Sequence, residues 1–321
     1  MKRLLGAIIV ATLAYSGWWV YASNALRTDV ADWFEQQQAA GLEARYADLT
    51  VRGFPNRTDL TLTAPVLRAP ENGFGWQAPF LQVFGLTYKQ GHVIVAWPDS
   101  QTVTTPQGEI ALSSDGLRAS VIHDDGTLIR TNLEATVLNL EGPDQSLALA
   151  DVNAAVHRIE PSPDTYRVAL SLGSIATRTP GIGPDSMASL RAEMDLALDR
   201  ALTFDLFESS TPQPTRITLH RSELSYGGVT FKLTGDAELD AQGRASGEVH
   251  VSAENWRDAI AAAQASGDLP PGLGDGLIDL LGMLATFGGS RDALDVTLGL
   301  DKGGVLLGPL PIGAVPPLVW R

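Results

Sequence analysis

Polar and apolar residues alternate with a period of two through most of the chain that follows Gly41. Leu60 and Leu62, for example, alternate with Asp59 and Thr61. Because successive side chains of a β-strand point to opposite faces of a sheet, each such run predicts a strand with one apolar face. After the turn at 53–56, the pattern predicts strands at 80–88, 92–97, 109–112, 117–123, 128–140, 147–159, 166–176, 189–199, 216–226, 229–240, 244–253, 293–300 and 304–307.

Short turns rich in Gly, Pro, Asp and Asn separate these runs, as in Lys89-Gln90-Gly91 and Asp124-Asp125-Gly126. Consecutive strands joined by short turns lie antiparallel. We therefore predict a mainly β fold, a long curved antiparallel sheet arranged as a meander. Two short helices are predicted near its end, at 256–265 and 275–287, and the second is apolar nearly all round.

The clearest change in composition lies at 177–185, where two prolines and two glycines occur. We place a boundary there, between an N-terminal β region at 42–180 and a C-terminal β region with two helices at 181–321. The segment 189–199 that follows contains good helix formers, yet its apolar residues alternate with polar ones. Such alternation does not fit one face of a helix, so we predict a strand.

The N-terminus carries the pattern of a membrane anchor. Lys2 and Arg3 precede an uncharged, mostly apolar run at 4–23, with Trp18, Trp19 and Tyr21 near its far end. A helix rises about 1.5 Å per residue, so about 20 residues cross the hydrocarbon core of a bilayer. Basic residues stay on the cytoplasmic side and aromatic residues favour the headgroup layer. The pattern predicts an anchor at 1–23 in the inner membrane, with the C-terminal bulk in the periplasm.

A cleaved signal peptide is the alternative, because Ser23-Asn24-Ala25 is an acceptable cleavage site. The two bulky tryptophans and the length of the apolar run favour the uncleaved anchor, and both alternatives export residues 26–321. The next segment, 24–41, continues as an amphipathic helix whose apolar residues recur at helical spacing. We interpret it as a stalk helix that packs its apolar stripe on the domain.

The charge and the absence of cysteine exclude several functions. The chain of 321 residues has 37 acidic and 23 basic residues and a net charge of −14. A surface this negative repels phosphate backbones, so we expect no nucleic-acid partner. Without any cysteine, the chain has no disulfide, no catalytic thiolate and no Cys-ligated zinc.

The sequence shows no combination of residues that would support catalysis or hold a cofactor. The five histidines are scattered along predicted strands, and none lies at metal-ligand spacing from another histidine or a carboxylate. There is no nucleophile elbow, Ser-x-x-Lys pair or Walker-type loop. Asp236, Glu238 and Asp240 share one strand face, which we interpret as a solvated face. We therefore predict a protein that is not an enzyme and has no catalytic residue, cofactor or metal.

The remaining candidate for a functional surface is the apolar face of the predicted strands. Alternation gives each strand one apolar face, and a continuous apolar face could accept an acyl chain. The candidate lipid-facing residues are Phe80, Phe84, Leu86, Tyr88, Ile217, Leu219, Val229, Phe231 and Leu233. Ordinary core packing is the alternative interpretation of the same residues.

Three stretches together resemble a known family: Val51-Arg52-Gly53-Phe54-Pro55 before an alternating strand, the hairpin at 235–254, and the segment 304–317. With the N-terminal anchor, they resemble the alphaproteobacterial envelope family called domain of unknown function 2125. More distantly, the hairpin and the C-terminal segment are similar to AsmA-like envelope proteins, which are anchored in the inner membrane and implied in phospholipid traffic. The resemblance carries no functional residue to this chain.

The anchor, the missing catalytic motifs, the apolar strand faces and the resemblance together lead us to expect a non-enzymatic, inner-membrane-anchored periplasmic protein of envelope maintenance, which could bind lipid on an apolar concave sheet face. The alternative is a structural or scaffolding subunit whose sheet pairs with another envelope protein. The chain is short for its AsmA-like relatives, which argues against a conduit across the whole periplasm.

Overall fold

The structure is a computed structural model that describes residues 1–143, 146–178, 187–203, 211–226, 229–254, 256–266, 278–279, 281–282, 285 and 293–320. Its helices are α1 (Lys2–Ala39) and α2 (Trp256–Ser266). Its strands are β1 (Glu43–Arg45), β2 (Asp48–Arg52), β3 (Arg57–Thr63), β4 (Val66–Ala69), β5 (Phe74–Gln77), β6 (Phe80–Leu86), β7 (Lys89–Ala96), β8 (Ser100–Thr105), β9 (Gly108–Asp115), β10 (Arg118–Asp124), β11 (Thr127–Glu141), β12 (Ser146–Arg158), β13 (Thr165–Arg178), β14 (Met187–Leu198), β15 (Pro214–Tyr226), β16 (Val229–Leu239), β17 (Ala245–Glu254), β18 (Ala293–Asp301), β19 (Gly304–Leu307) and β20 (Leu310–Ala314). The predicted fold class, mainly β and antiparallel behind an N-terminal apolar helix, is confirmed.

The predicted anchor and stalk form one unbroken helix, α1, of 38 residues. Its N-terminal part is long and apolar enough to span a membrane, and none of its most apolar window is buried within the protein. The C-terminal part packs on the sheet: Phe34 is buried among Ala44, Leu49 and Leu62, as the apolar stripe predicts. Gly41, just after the helix, has φ of +93°, a conformation that glycine adopts without strain.

The chain divides into two compact units, Met1–Ile122 with Leu140–Pro143, and His123–Asn139 with Asp144–Arg321. The sequence-based boundary at 180 lies inside the second unit. The strands on either side of that boundary, β13 and β14, pair antiparallel over ten residue pairs. The change in composition at 177–185 therefore separates two partners of one hairpin.

Each long strand of the N-terminal unit is bent near its middle, and the bend divides it into two short strands. The pairs of halves are β1 with β2, β3 with β4, β5 with β6, β7 with β8, and β9 with β10. One set of halves pairs in the order β2, β3, β6, β7, β10, and the other in the order β1, β4, β5, β8, β9. The five bends therefore line up across the unit, and we call this line the crease.

Prolines help to explain the crease. Pro65, Pro79 and Pro98 each lie between the two halves of a strand, and a proline has no N–H with which to continue a strand ladder. Backbone hydrogen bonds nevertheless cross the bends, including that from the Ala64 N–H to the Pro79 carbonyl (2.8 Å). Alternation alone did not predict β1, β4, β5 or β8, because each half is short.

The C-terminal unit contains a meander in which β12 to β19 each pair with the next strand along the chain. The strand predicted at 189–199 is present as β14 and the helix predicted at 256–265 as α2. The second predicted helix, at 275–287, falls mostly outside the described residues, and the five described residues in it are helical. The C-terminal segment contains the strand β20, which pairs antiparallel with β19.

Gly53 provides the first testable prediction, because it forms the turn between β2 and β3. Its φ is +106°, and a Cβ placed on it would lie 2.8 Å from the Arg57 Cβ. We expect Gly53→Val to lower the free energy of unfolding by about 1–3 kcal/mol through backbone strain. Thermal and urea denaturation of both proteins measure this difference. A loss of function at an unchanged melting temperature would instead indicate a binding role for the loop.

Candidate functional site

The strands β13 to β18 present one continuous apolar face. Strand pairing aligns Val168, Met194 and Leu219 in one row across β13, β14 and β15. A second row, from Leu233 across β16, β17 and β18, continues through Val251 and Val296. Because paired residues of neighbouring strands share a face, these side chains form one apolar surface, which we call the C-terminal apolar face.

Among the described residues, both ends of this face are covered. At one end α2 places Trp256, which is fully buried, and Ile260 against Ala253 and Leu294, and Phe231 packs against this cluster. At the other end Trp320 and Ile217 pack against a cluster formed by Tyr166, Leu196 and Leu198.

Trp320 is fixed by two backbone hydrogen bonds to one glutamine. Its carbonyl oxygen accepts from Gln213 Nε2 (2.8 Å) and its N–H donates to Gln213 Oε1 (3.1 Å). Between Trp320 and α2, three apolar side chains of the face are half-buried: Leu219, Leu233 and Val249. Leu224 is 39% exposed. Within the part of the chain that the structure describes, an apolar surface therefore remains open between the two covers.

The opposite face of the same strands is charged. Arg216 pairs with both Asp236 and Glu238 (3.3 Å each), and His250 Nε2 lies 3.1 Å from Asp295 Oδ1. Asp236 and Glu238 thus lie on a solvated face, and they do so in ion pairs with a neighbouring strand. Among the described residues, no group of three or more His, Asp or Glu side chains is placed to hold a metal ion.

The best-defined contact on the charged face joins Arg167 to Asp195. The guanidinium donates from Nε to Oδ1 (2.7 Å) and from Nη2 to Oδ2 (2.9 Å), and His220 Nε2 lies 2.7 Å from Oδ2. The hydrogen bond from Arg167 is the main cause that lowers the pKa of Asp195, and hydrogen bonding to His220 lowers it further.

This pair gives a prediction for the pH dependence of stability. Because the pKa of Asp195 is lower in the folded than in the unfolded protein, the pair stabilises the fold above the unfolded pKa of about 3.9. That contribution is lost as the pH falls through the folded pKa. We expect Asp195→Asn to cost about 1 kcal/mol at neutral pH, a modest value for a partly exposed pair, and progressively less below about pH 4. Urea titrations over this range measure both; a pH-independent difference would contradict the assignment.

The N-terminal unit presents a second, smaller row of apolar side chains on β6. Leu81 and Val83 pack towards the cluster beneath α1, so Phe80 and Phe84, which alternate with them, lie on the opposite face. The Arg57 guanidinium carbon lies 5.5 Å from the centroid of the Phe84 ring, within the range of a cation–π contact.

The row on β6 begins beside a cavity at the crease. The cavity has a volume of about 640 Å³, and Val66, Pro79, Gln101 and Thr102 are among the residues that line it. From Phe80, next to Pro79, the row continues to the turn after β6.

The nine candidate lipid-facing residues fall into two groups, one in each unit. Phe80, Phe84 and Leu86 are half-buried on β6, and Tyr88 is 73% exposed in the turn after it. Ile217, Leu219, Phe231 and Leu233 are half-buried on the C-terminal apolar face, and the side chain of Val229 lies outside the described residues.

Sequence reasoning missed one exposed member of this face, Leu224. A bulge on β15 shifts the register between Leu219 and Ser222, so that Leu224 pairs with Phe231. An extra residue in a strand reverses the alternation beyond it. Alternation alone therefore places Leu224 on the wrong face, and no turn residue marks the bulge in the sequence.

Comparison with known proteins gives one match. The model of a protein family described as "Uncharacterized protein conserved in bacteria (DUF2125)" matches residues 19–316. No curated protein and no solved structure matches the chain at a significant level. The resemblance to domain of unknown function 2125 is therefore confirmed over nearly the whole chain, and the more distant likeness to AsmA-like proteins finds no support in these comparisons.

Proposed function

We propose that this chain, which belongs to the family of uncharacterised bacterial proteins DUF2125, is a non-enzymatic, membrane-anchored protein of envelope maintenance. It holds lipid acyl chains on its C-terminal apolar face. The observation that supports the proposal is the part of that face between α2 and Trp320 that the described residues leave open, where Leu219, Leu233 and Val249 are half-buried. Burial of each methylene of a bound chain contributes about 0.8 kcal/mol.

The anchor tethers the chain that carries this face to a membrane, which is a source of lipid. Lys2 and Arg3 precede the apolar part of α1, which favours an N-terminus in the cytoplasm and a C-terminal bulk in the periplasm. The continuity of α1 supports an uncleaved anchor.

The anchor is tested by topology. We expect a periplasmic reporter fused after Arg321 to be active, the mature N-terminus to be uncut, and the protein to stay in the membrane fraction after alkaline extraction. A cytoplasmic reporter at the same position is the matched control and should be inactive. A soluble protein that begins at Leu26 would overturn the anchor and support the cleaved signal peptide.

A scaffolding subunit is the second candidate, because exposed apolar faces also mark protein interfaces. In that case the C-terminal apolar face would pair with another envelope protein. Two results would separate the candidates: lipid that co-purifies stoichiometrically supports the first, and a stoichiometric protein partner on a lipid-free chain supports the second.

A further inference from the structure

The end of the N-terminal unit nearest the N-terminus of α1 touches the helix within its apolar part. The Tyr15 hydroxyl donates to the Pro55 carbonyl (2.6 Å) and lies 3.1 Å from Thr87 Oγ1. Trp19 Nε1 donates to the Arg57 carbonyl (2.9 Å). The loop at 53–57 and the turn at 87–88 therefore lie beside residues 15–19 of α1; we call these two segments the tip.

The tip is aromatic and exposed. The Phe54 ring packs edge-on against Trp19, with centroids 5.6 Å apart, and lies 6.5 Å from the Tyr15 ring. Phe54 is nevertheless 51% exposed, Trp18 45% and Tyr88 73%. Tyrosine and tryptophan side chains with this exposure are typical of the boundary between a bilayer and water.

The length of α1 places the tip within the bilayer. At about 1.5 Å per residue, the segment from Met1 to Tyr15 extends only about 21 Å, against about 30 Å of hydrocarbon core. If residues 4–23 cross that core, Trp19 lies about 6 Å and Tyr15 about 12 Å inside its far boundary. The tip, which contacts both side chains, therefore lies at the depth of the far leaflet.

The backbone of the tip suits such an environment. A carbonyl or N–H group without a partner is costly in hydrocarbon. Besides the Pro55 and Arg57 carbonyls, the Gly53 carbonyl accepts from the Arg57 N–H (2.9 Å) and the Asn56 carbonyl accepts from the Thr87 N–H (3.1 Å). Four carbonyls of one short loop are thus satisfied, two of them by side chains of the membrane helix itself.

We propose that the tip is inserted into the far leaflet of the membrane that α1 spans, where Phe54 and Tyr88 contact lipid. The inference rests on the proposed anchor and adds a second, shallow contact with the same bilayer. The charged side chains in the tip and at its ends are compatible with a headgroup layer: Arg57, within the tip, pairs with Asp59 (3.0 Å), and Arg52 and Lys89 are exposed beside it. Two contacts with one membrane fix the orientation of the N-terminal unit, which α1 alone leaves free.

The absence of cysteine permits a direct test by single-cysteine labelling. The full-length variants Phe54→Cys and Tyr88→Cys are labelled with an environment-sensitive dye and reconstituted into phosphatidylcholine vesicles that contain lipids with a spin label in the acyl chain. Leu13→Cys, in the apolar part of α1, reports the anchor. Thr63→Cys, at the other end of β3 and exposed, reports the aqueous part of the unit.

We expect quenching at Leu13, at Phe54 and at Tyr88 to exceed quenching at Thr63 by at least threefold. Quenching at Leu13 with Phe54 and Tyr88 no more quenched than Thr63 would overturn the inserted tip and leave the anchor intact; a protein partner over the tip would produce this result. An unquenched Leu13 would overturn the anchor, and the inserted tip with it.

Discussion

Leu233→Asp is expected to remove bound lipid from the full-length protein without unfolding it. Leu233 lies on the open part of the C-terminal apolar face and is half-buried. A carboxylate at this position would lose its hydration against an acyl chain, which costs several kcal/mol. Because about 1.4 kcal/mol corresponds to a tenfold change in affinity, we expect the lipid-to-protein ratio to fall at least tenfold. Native mass spectrometry and lipid extraction of the purified protein measure it.

Thr234→Asp is the matched control for this prediction. Thr234 is the next residue of β16, is exposed on the charged face, and pairs in register with His250. The same new charge there should leave the lipid ratio unchanged. Equal ratios for both variants and the wild-type protein would contradict lipid binding on this face, provided that all three proteins have similar melting temperatures.

Trp256→Ala is expected to give the largest loss of stability. Trp256 is fully buried and packs with Ile260, Ala253 and Leu294, so that α2 covers one end of the face. Removal of a buried tryptophan side chain costs about 3–5 kcal/mol through lost burial and the cavity that remains. Urea denaturation followed by far-ultraviolet circular dichroism measures the free energy of unfolding without reliance on tryptophan fluorescence.

Two further variants test whether this loss of stability comes from the buried ring of Trp256. Trp256→Phe keeps most of the ring volume and should cost about 1–2 kcal/mol. Arg257→Ala removes the exposed guanidinium that lies 4.6 Å from the Trp256 ring centroid, and should cost no more than about 0.5–1 kcal/mol. A cost below about 1 kcal/mol for Trp256→Ala would show that α2 does not cover the sheet as described.

Much of the fold could be predicted because alternation is a strong signal in long strands. β14 shows this most clearly: its residues favour helix, yet strict alternation predicts a strand, and tertiary pairing with β13 and β15 satisfies it. The stalk part of α1 could be predicted for the same reason, since its apolar residues recur with the period of a helix and pack together around Phe34.

The rest depended on features that alternation does not record. The crease requires five bends at the same level of neighbouring strands, and a single proline such as Pro79 marks one bend without indicating its alignment with the others. The contact of Phe54 with Trp19 joins segments 35 residues apart in sequence, so no local sequence pattern predicts it. The boundary between the units lies near residue 122, where no change in composition occurs.

The candidate residues on β15 and β16 show one property that the sequence predicted and one that it did not. Ile217 and Leu219 share a face with Phe231 and Leu233, as alternation within each strand suggested. Which parts of that face are open follows only from the structure, because α2 and Trp320 reach it from distant positions in the chain. The candidate residues therefore include one packed against α2, Phe231, and one beside Trp320, Ile217.

Photo-crosslinking would detect lipid on the C-terminal apolar face directly. The full-length protein is reconstituted with a phospholipid that carries a diazirine in its acyl chain, irradiated, digested and sequenced by mass spectrometry. We expect modified residues at 4–23 and, in addition, on the apolar face between α2 and Trp320, at positions such as Leu219, Leu233 and Val249. Modification confined to 4–23 and the tip, with none on that face, would contradict lipid binding there.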